Sequence, residues 1–204
     1  MNEARFSLAE LIGSRICHDL ISPVGAISNG LELLELSGQP RSPEIDLIAD
    51  SVRNAGARIR FFRIAYGAAG NESLSSGEVR DILASATSGT RFTVHYAPER
   101  PQPRALLRLA FLAMQCCETA MPRGGDLTIG TAGASWQVTG AGPRIEPDAA
   151  LWALLGRDAD PAAGDPGRAI TPAQVQFALL PALVRAAGRA LVPRMSDQAV
   201  SLRF

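Results

Sequence analysis

From Ile12 to Leu34, apolar residues return every three or four positions: Ile12, Ile16, Leu20, Val24, Ile27, Leu31 and Leu34. That spacing is one face of an α-helix. It predicts a helix from about Ser7 to Leu36, with Ser7 as N-cap and Glu10, three residues later, completing a capping box. At 1.5 Å per residue the helix is about 45 Å long. Pro23 removes one backbone hydrogen bond inside it and is expected to bend it there. Ser37-Gly38-Gln39-Pro40 then supplies turn chemistry. A second helix opens with Ser42 as cap and Pro43 at the first helical position. Its apolar positions Ile45, Ile48, Val52, Ala55, Ile59, Phe62 and Tyr66 alternate spacings of three and four, a coiled-coil-like seam. Gly67-Ala68-Ala69-Gly70-Asn71 ends it. The short connection makes the pair an antiparallel hairpin. Two helices cannot enclose an apolar seam of this length, so a second copy is expected to complete a four-helix bundle about a two-fold axis.

Past residue 70 the period changes. Gly77 to Ala86 reads as a short helix. Arg91 to Ala97 alternates, placing Phe92, Val94 and Tyr96 on one face of a strand and His95 on the solvent side with Arg91 and Thr93. Gln102 to Met121 reads as an apolar helix, Pro122-Arg123-Gly124-Gly125 as a turn, and Asp126–Thr131 with Ser135–Thr139 as a strand pair. Glu146 to Leu155 is a helix, Arg157 to Arg168 a loop rich in Pro, Gly and Asp, and Pro172 to Ala187 a helix containing Pro181. Leu191–Met195 and Ala199–Phe204 form a closing hairpin. The expected class is α+β: a helical hairpin over residues 1–70, and an α/β sandwich over 71–204 with helices on one side of a mixed sheet.

Composition narrows the chemistry. The chain has 204 residues, 47% of them hydrophobic, and no formal net charge, which argues against a nucleic-acid footprint. No apolar run approaches twenty residues and no basic-then-apolar leader opens the chain, so a cytoplasmic protein without a membrane segment is expected. Cys17, Cys116 and Cys117 lack metal-ligand spacing, and the adjacent pair fits a buried helix in a reducing compartment. All twenty basic residues are arginine, which excludes a Walker A lysine and a Schiff-base lysine.

One of only two histidines, His18, sits in the middle of the first helix. At about 100° per residue it falls roughly 180° from the apolar stripe, so its ring points away from the core. The same face carries Ser14, Arg15, Ser22, Gly25 and Asn29. On an arbitrary helix these would be a solvated face. Here Leu11, Ile21, Leu33 and Leu36 lie on or beside it, which suggests a partner-binding surface. Arg15 and Ser22, three before and four after, can reach the ring. Arg15 suits phosphate oxygens, Asp19 can orient the ring or accept a proton, and Gly25 lets another backbone approach. These are the needs of a histidine that carries a phosphoryl group.

His18-Asp19-Leu20-Ile21-Ser22-Pro23 resembles the phospho-acceptor box of dimeric histidine kinases. The longer run from His18 to Leu34 is similar to the ChpT-type histidine phosphotransferases of alphaproteobacterial phosphorelays. That resemblance implies a homodimer whose second domain is a histidine-kinase ATP-binding domain that no longer binds ATP. Kinases of that kind carry an Asn-Ala-x-Lys box shortly before a Pro-x-Gly-Gly turn. Here the turn is Pro122-Arg123-Gly124-Gly125, and the box positions hold Cys116, Cys117, Glu118 and Thr119, so the metal-binding asparagine is missing. In the Asp-x-Gly-x-Gly box, Val138-Thr139-Gly140-Ala141-Gly142 keeps both glycines and has Val138 where the adenine-reading acid belongs. The glycine-rich lid has no counterpart beyond the isolated Gly164 and Gly167.

The resemblance therefore implies a phosphohistidine carrier without autokinase activity. His18 would be the acceptor, on Nε2, assisted by Asp19, Arg15 and Ser22. Leu11, Ser14, Ile21, Gly25 and Asn29 would form the docking face. The donor would be the receiver domain of a hybrid histidine kinase and the acceptors response regulators. Mg²⁺ would come with the receiver, so the chain would have no nucleotide, metal or cofactor site of its own and no nucleic-acid or membrane partner. Two other readings stay open at this point: an active histidine kinase, and a non-catalytic dimeric scaffold.

Overall fold

The computed structural model describes residues 2–37, 42–68, 70–156 and 170–204. Two long helices come first, α1 (Asn2–Leu36) and α2 (Pro43–Ala65). α1 starts five residues before Ser7, so Ser7 lies inside the helix and is not its N-cap. No glycine or proline interrupts residues 2–7, and good helix formers such as Ala4 and Arg5 extend the first turns. The helix continues through Pro23, which cannot donate to the carbonyl of Asp19 four residues back. α2 begins as its sequence implies: Ser42 accepts a hydrogen bond from the Ile45 N–H at 3.4 Å, and Pro43 occupies the first turn. Glu44 and Asp46 in that turn face the positive end of the helix dipole.

The two helices run antiparallel and approach closely at Gly13, where a Cβ would lie 2.9 Å from the Tyr66 carbonyl oxygen. Further along, a Cβ on Gly56 would meet Val24 Cγ1 at 3.6 Å. Only one edge of the α1 stripe is covered in this way. Ile16, Leu20, Ile27 and Leu34 remain 44 to 54% exposed in the single chain, as do Ile48 (49%) and Phe62 (39%) on α2. Cys17, between the stripe and the polar face, is buried. The side chain of Ile12 lies outside the described residues.

The remaining elements are β1 (Ser73–Leu74), α3 (Ser76–Thr87), β2 (Phe92–Tyr96), β3 (Gln102–Pro103), α4 (Arg104–Thr119), β4 (Gly125–Ala132), β5 (Ser135–Ala141), α5 (Ala149–Gly156), a 3-10 turn (Pro172–Gln174), α6 (Val175–Ala186), β6 (Val192–Met195) and β7 (Ala199–Arg203). The main sheet has the order β2-β4-β5-β7-β6; β2 and β4 are parallel and the other pairs antiparallel. β1 pairs with β3, and two residues apiece are too few to show a period in sequence. β3 also takes Gln102 and Pro103 from the helix expected there, α5 begins three residues later than expected, and the first turn of the expected Pro172 helix is 3-10. Gly164, Gly167 and the rest of the 157–168 loop lie outside the described residues.

The sheet is two-faced. Leu127, Ile129, Val138, Val200 and Leu202 are fully buried, while Asp126 and Thr128 face solvent. His95 is exposed, its Nε2 3.8 Å from Asp126 Oδ1. α4 packs on the buried face, with Cys117 close to Gly140 of β5, and its Leu107, Phe111, Leu112 and Met114 are all but removed from water; each such side chain contributes roughly 1.5–3 kcal/mol. The same core takes in the end of α2. Phe61 stacks on Phe111 with ring centroids 4.7 Å apart, and Ile64 and Ala65 are buried beside it. This shared packing fixes the first helix pair relative to the start of α4.

Candidate functional site

His18 stands midway along α1 with its side chain 82% exposed. Its Nδ1 lies 3.2 Å from Asp19 Oδ1, and Arg15 Nε donates to Asp19 Oδ2 at 2.7 Å. The hydrogen bond from His18, and then that from Arg15, pulls the Asp19 carboxyl below its ordinary range. Asp19 is therefore an anion at neutral pH, a hydrogen-bond acceptor only. An anion at Nδ1 favours the tautomer with its proton there and leaves the lone pair on Nε2.

Ser14, Arg15, Ile21 and Ser22 of α1 line a groove of about 710 Å³ with His18; Arg63 of α2, Ala68 and Arg104 of α4 form its other side. Ser14 already has a structural partner, since its Oγ accepts the Ala68 N–H at 3.0 Å and ties α1 to the end of α2. A neighbouring groove of about 810 Å³ begins at Ile21 and Arg63 and runs along Gly25 and Asn29, with Arg53 and Arg60 on α2. The residues singled out in sequence thus fall in two places. Arg15, Ser22, Ser14 and Ile21 gather around His18, and Ile21, Gly25 and Asn29 line the adjoining groove. Leu11 is 58% exposed and lines neither.

Sequence reasoning missed Arg63 and Arg104. The first was within reach of it, because an antiparallel hairpin that sets Gly13 against Tyr66 and Val24 against Gly56 brings the Phe62–Arg63 turn opposite His18. The second was not, because Arg104 arrives through tertiary packing alone. Both act on Cys17, the residue before His18. Burial raises its thiol pKa, and the charges of Arg63 and Arg104 oppose the rise.

The C-terminal positions compared above with kinase boxes are largely buried. Cys116 and Cys117 are fully buried on α4, and burial holds both thiols well above their ordinary pKa. Glu118 beside them is pushed up to about 7 by burial, partly offset by Arg58. Val138 is fully buried in β5. A Cβ on Gly140 would sit 2.9 Å from Met121 Cε and 3.2 Å from Cys117 Cβ, so the chain's own side chains fill the space under that glycine. Thr119 Oγ1 accepts a hydrogen bond from Gln176 Nε2 at 3.4 Å. Among the described residues, no group of three His, Cys, Asp or Glu could hold a metal ion, and no helix is long and apolar enough to cross a membrane.

The chain thus joins an exposed histidine on a helical hairpin, in contact with the next residue's carboxylate, to a half built of helices on a mixed sheet. Residues 76–199 match the family model for the histidine phosphotransferase C-terminal domain, and the chain belongs to that family. The protein phosphotransferase ChpT of Brucella abortus (strain 2308) is 37% identical over 139 residues, and the match spans 62% of this chain and 62% of that protein. A solved structure described as a bacterial phosphotransferase at 1.7 Å superimposes with a TM-score of 0.63 at 28% identity, over 93% of this chain and 91% of the other. A histidine kinase from Burkholderia phymatum STM815 aligns over 98% of this chain and 95% of its own at 16% identity, with a TM-score of 0.39.

Proposed function

We propose that this protein is a histidine phosphotransferase that carries a phosphoryl group on His18. The donor is an aspartyl phosphate on the receiver domain of a hybrid histidine kinase, and the acceptors are aspartates of response regulators. The observation that supports this most is the pairing at mid-helix: a highly exposed imidazole with Nδ1 held by ionised Asp19.

That arrangement suits the step. The Nε2 lone pair attacks phosphorus, the P–N bond forms, and the P–O bond to the donor aspartate breaks with its electron pair leaving on the carboxylate. The proton stays on Nδ1, and Asp19 offsets the positive charge the ring acquires. Transfer to a regulator runs the same exchange in reverse. Phosphoryl transfer depends mainly on position and charge stabilisation, and the catalytic Mg²⁺ belongs to the receiver in this reading. The groove along Ile21, Gly25 and Asn29 offers the receiver a seat beside the ring. The half-exposed stripe of Ile16, Leu20, Ile27 and Leu34, with Ile48 and Phe62, supports a homodimer closed by a second hairpin. The buried Val138 and the filled space under Gly140 support a C-terminal half that binds no ATP and has no autokinase activity.

The test is transfer from a phosphorylated receiver domain to wild type and to His18→Ala. The alanine variant is expected to accept no acid-labile phosphate while keeping its fold, since exposed positions usually shift stability by less than about 0.5 kcal/mol. Label retained on that variant would overturn the assignment.

A further inference from the structure

We propose that Arg63 binds the oxygens of the phosphoryl group in transit to His18 and that Arg104 holds Arg63 in place, a reading that rests on His18 being the acceptor.

The transferring group spreads negative charge over three oxygens, and a cation beside them is the main help a protein can give. Arg15 is the cation nearest in sequence, but its Nε is committed to Asp19 at 2.7 Å on the same helix. That bond engages Arg15 with the carboxylate that orients the ring and leaves only its Nη groups for a ligand. Arg63 is placed differently. It faces the His18 groove from α2, stands where that groove meets its neighbour, and is exposed. Its guanidinium has no ion-pair or hydrogen-bond partner among the described residues, so its donors are free for a ligand with the fork geometry that suits phosphate oxygens.

Arg104 makes the opposite use of its charge. Its side chain is only 11% exposed. Nη2 donates to the Arg63 carbonyl oxygen at 2.7 Å, and Nη1 pairs with Glu72 Oε2 at 3.3 Å. The Arg63 carbonyl belongs to the last turn of α2, where carbonyls lack helical donors. Arg104 supplies that donor and pins the turn that carries Arg63. Its own Nε is buried without a partner, so the side chain is held there at some cost in desolvation. Both charges also oppose the rise in pKa of the buried Cys17 thiol, in the residue before His18. No arginine bond is made or broken in the step; the two residues offset charge and fix position.

Two donors separate a phosphoryl ligand from a docking charge. A receiver domain charged with acetyl phosphate must dock, whereas phosphoramidate labels histidine with no partner at all. Arg63→Gln is expected to slow labelling of His18 about 10- to 100-fold with both donors, to leave the half-saturating receiver concentration unchanged, and to be partly restored by Arg63→Lys. Arg104→Met is expected to slow both reactions in the same sense and to add little in the Arg63→Gln background, since coupled positions are not additive. A loss seen with the receiver alone, or as a raised half-saturating concentration, would make Arg63 a docking charge and overturn the proposal. Unchanged rates would overturn it as well. Fully additive losses in the double variant would overturn the role given to Arg104. His18→Ala is run beside them: if it is dead and Arg63→Gln is normal, only this inference fails, whereas if it still takes label, the functional reading fails.

Discussion

Glu118 offers a test of the C-terminal half that needs no partner. It stands near the C-terminus of α4 and faces a cavity shared with Arg58, Phe61, Phe62 and Met114. The negative end of the helix dipole and the apolar neighbours both disfavour its carboxylate. Burial is the larger cause of its rise to about 7, and Arg58 limits it. An acid whose folded pKa exceeds its unfolded value of about 4.5 binds more protons when folded between those two pH values. The unfolded state then gains on raising the pH, so the stability this group contributes is fully present below about pH 4.5 and lost by about pH 8. At about 1.4 kcal/mol per pKa unit, the loss between pH 5 and pH 8 is about 2.5 kcal/mol. Glu118→Gln keeps the shape and removes the titration. Urea unfolding of both proteins at pH 5, 6, 7 and 8, at one fixed protein concentration, isolates this group because the other titrations cancel in the difference. The wild type should lose about 2.5 kcal/mol relative to the glutamine variant across that range. A difference constant to within about 0.5 kcal/mol would mean that Glu118 is solvated and ionised in the folded protein, and that the α2–α4 interface is looser than described.

The proposed homodimer and the proposed lack of ATP binding yield two further expectations. The wild type should sediment as a dimer at micromolar concentration, while Leu20→Asp or Ile27→Asp should give monomers. Truncating Ile48 or Phe62 to alanine should cost roughly 2–5 kcal/mol per protomer if a second hairpin buries them, and a wild-type monomer would refute the bundle. Calorimetry with Mg-ATP should show no binding below millimolar concentration: an adenine amino group facing Val138 has no acceptor, a loss of about 1–3 kcal/mol, and each 1.4 kcal/mol is about tenfold. Micromolar affinity would refute that.

What the sequence determined is what depends on short distances along the chain. The period of the first helix alone places His18 opposite the apolar stripe, and its next residue, Asp19, is in contact with the ring in the structure. Ser42-Pro43 starts α2 where capping chemistry says it should. Cys116 and Val138 were legible as apolar residues, and both are fully buried. Ser7 misled because a capping box is a local option that a run of helix formers upstream can override. What only the tertiary structure decided is which side chains meet across elements. Part of the stripe packs within the hairpin, and the rest stays exposed on the single chain. The helix pairing brings Arg63 to His18. The stacking of Phe61 on Phe111 brings in Arg104, from another element and more than eighty residues away in sequence. A periodic pattern specifies the direction of a side chain about its own helix axis, but the distance between two charges on different helices is set by how their cores interlock, and no single segment contains that information.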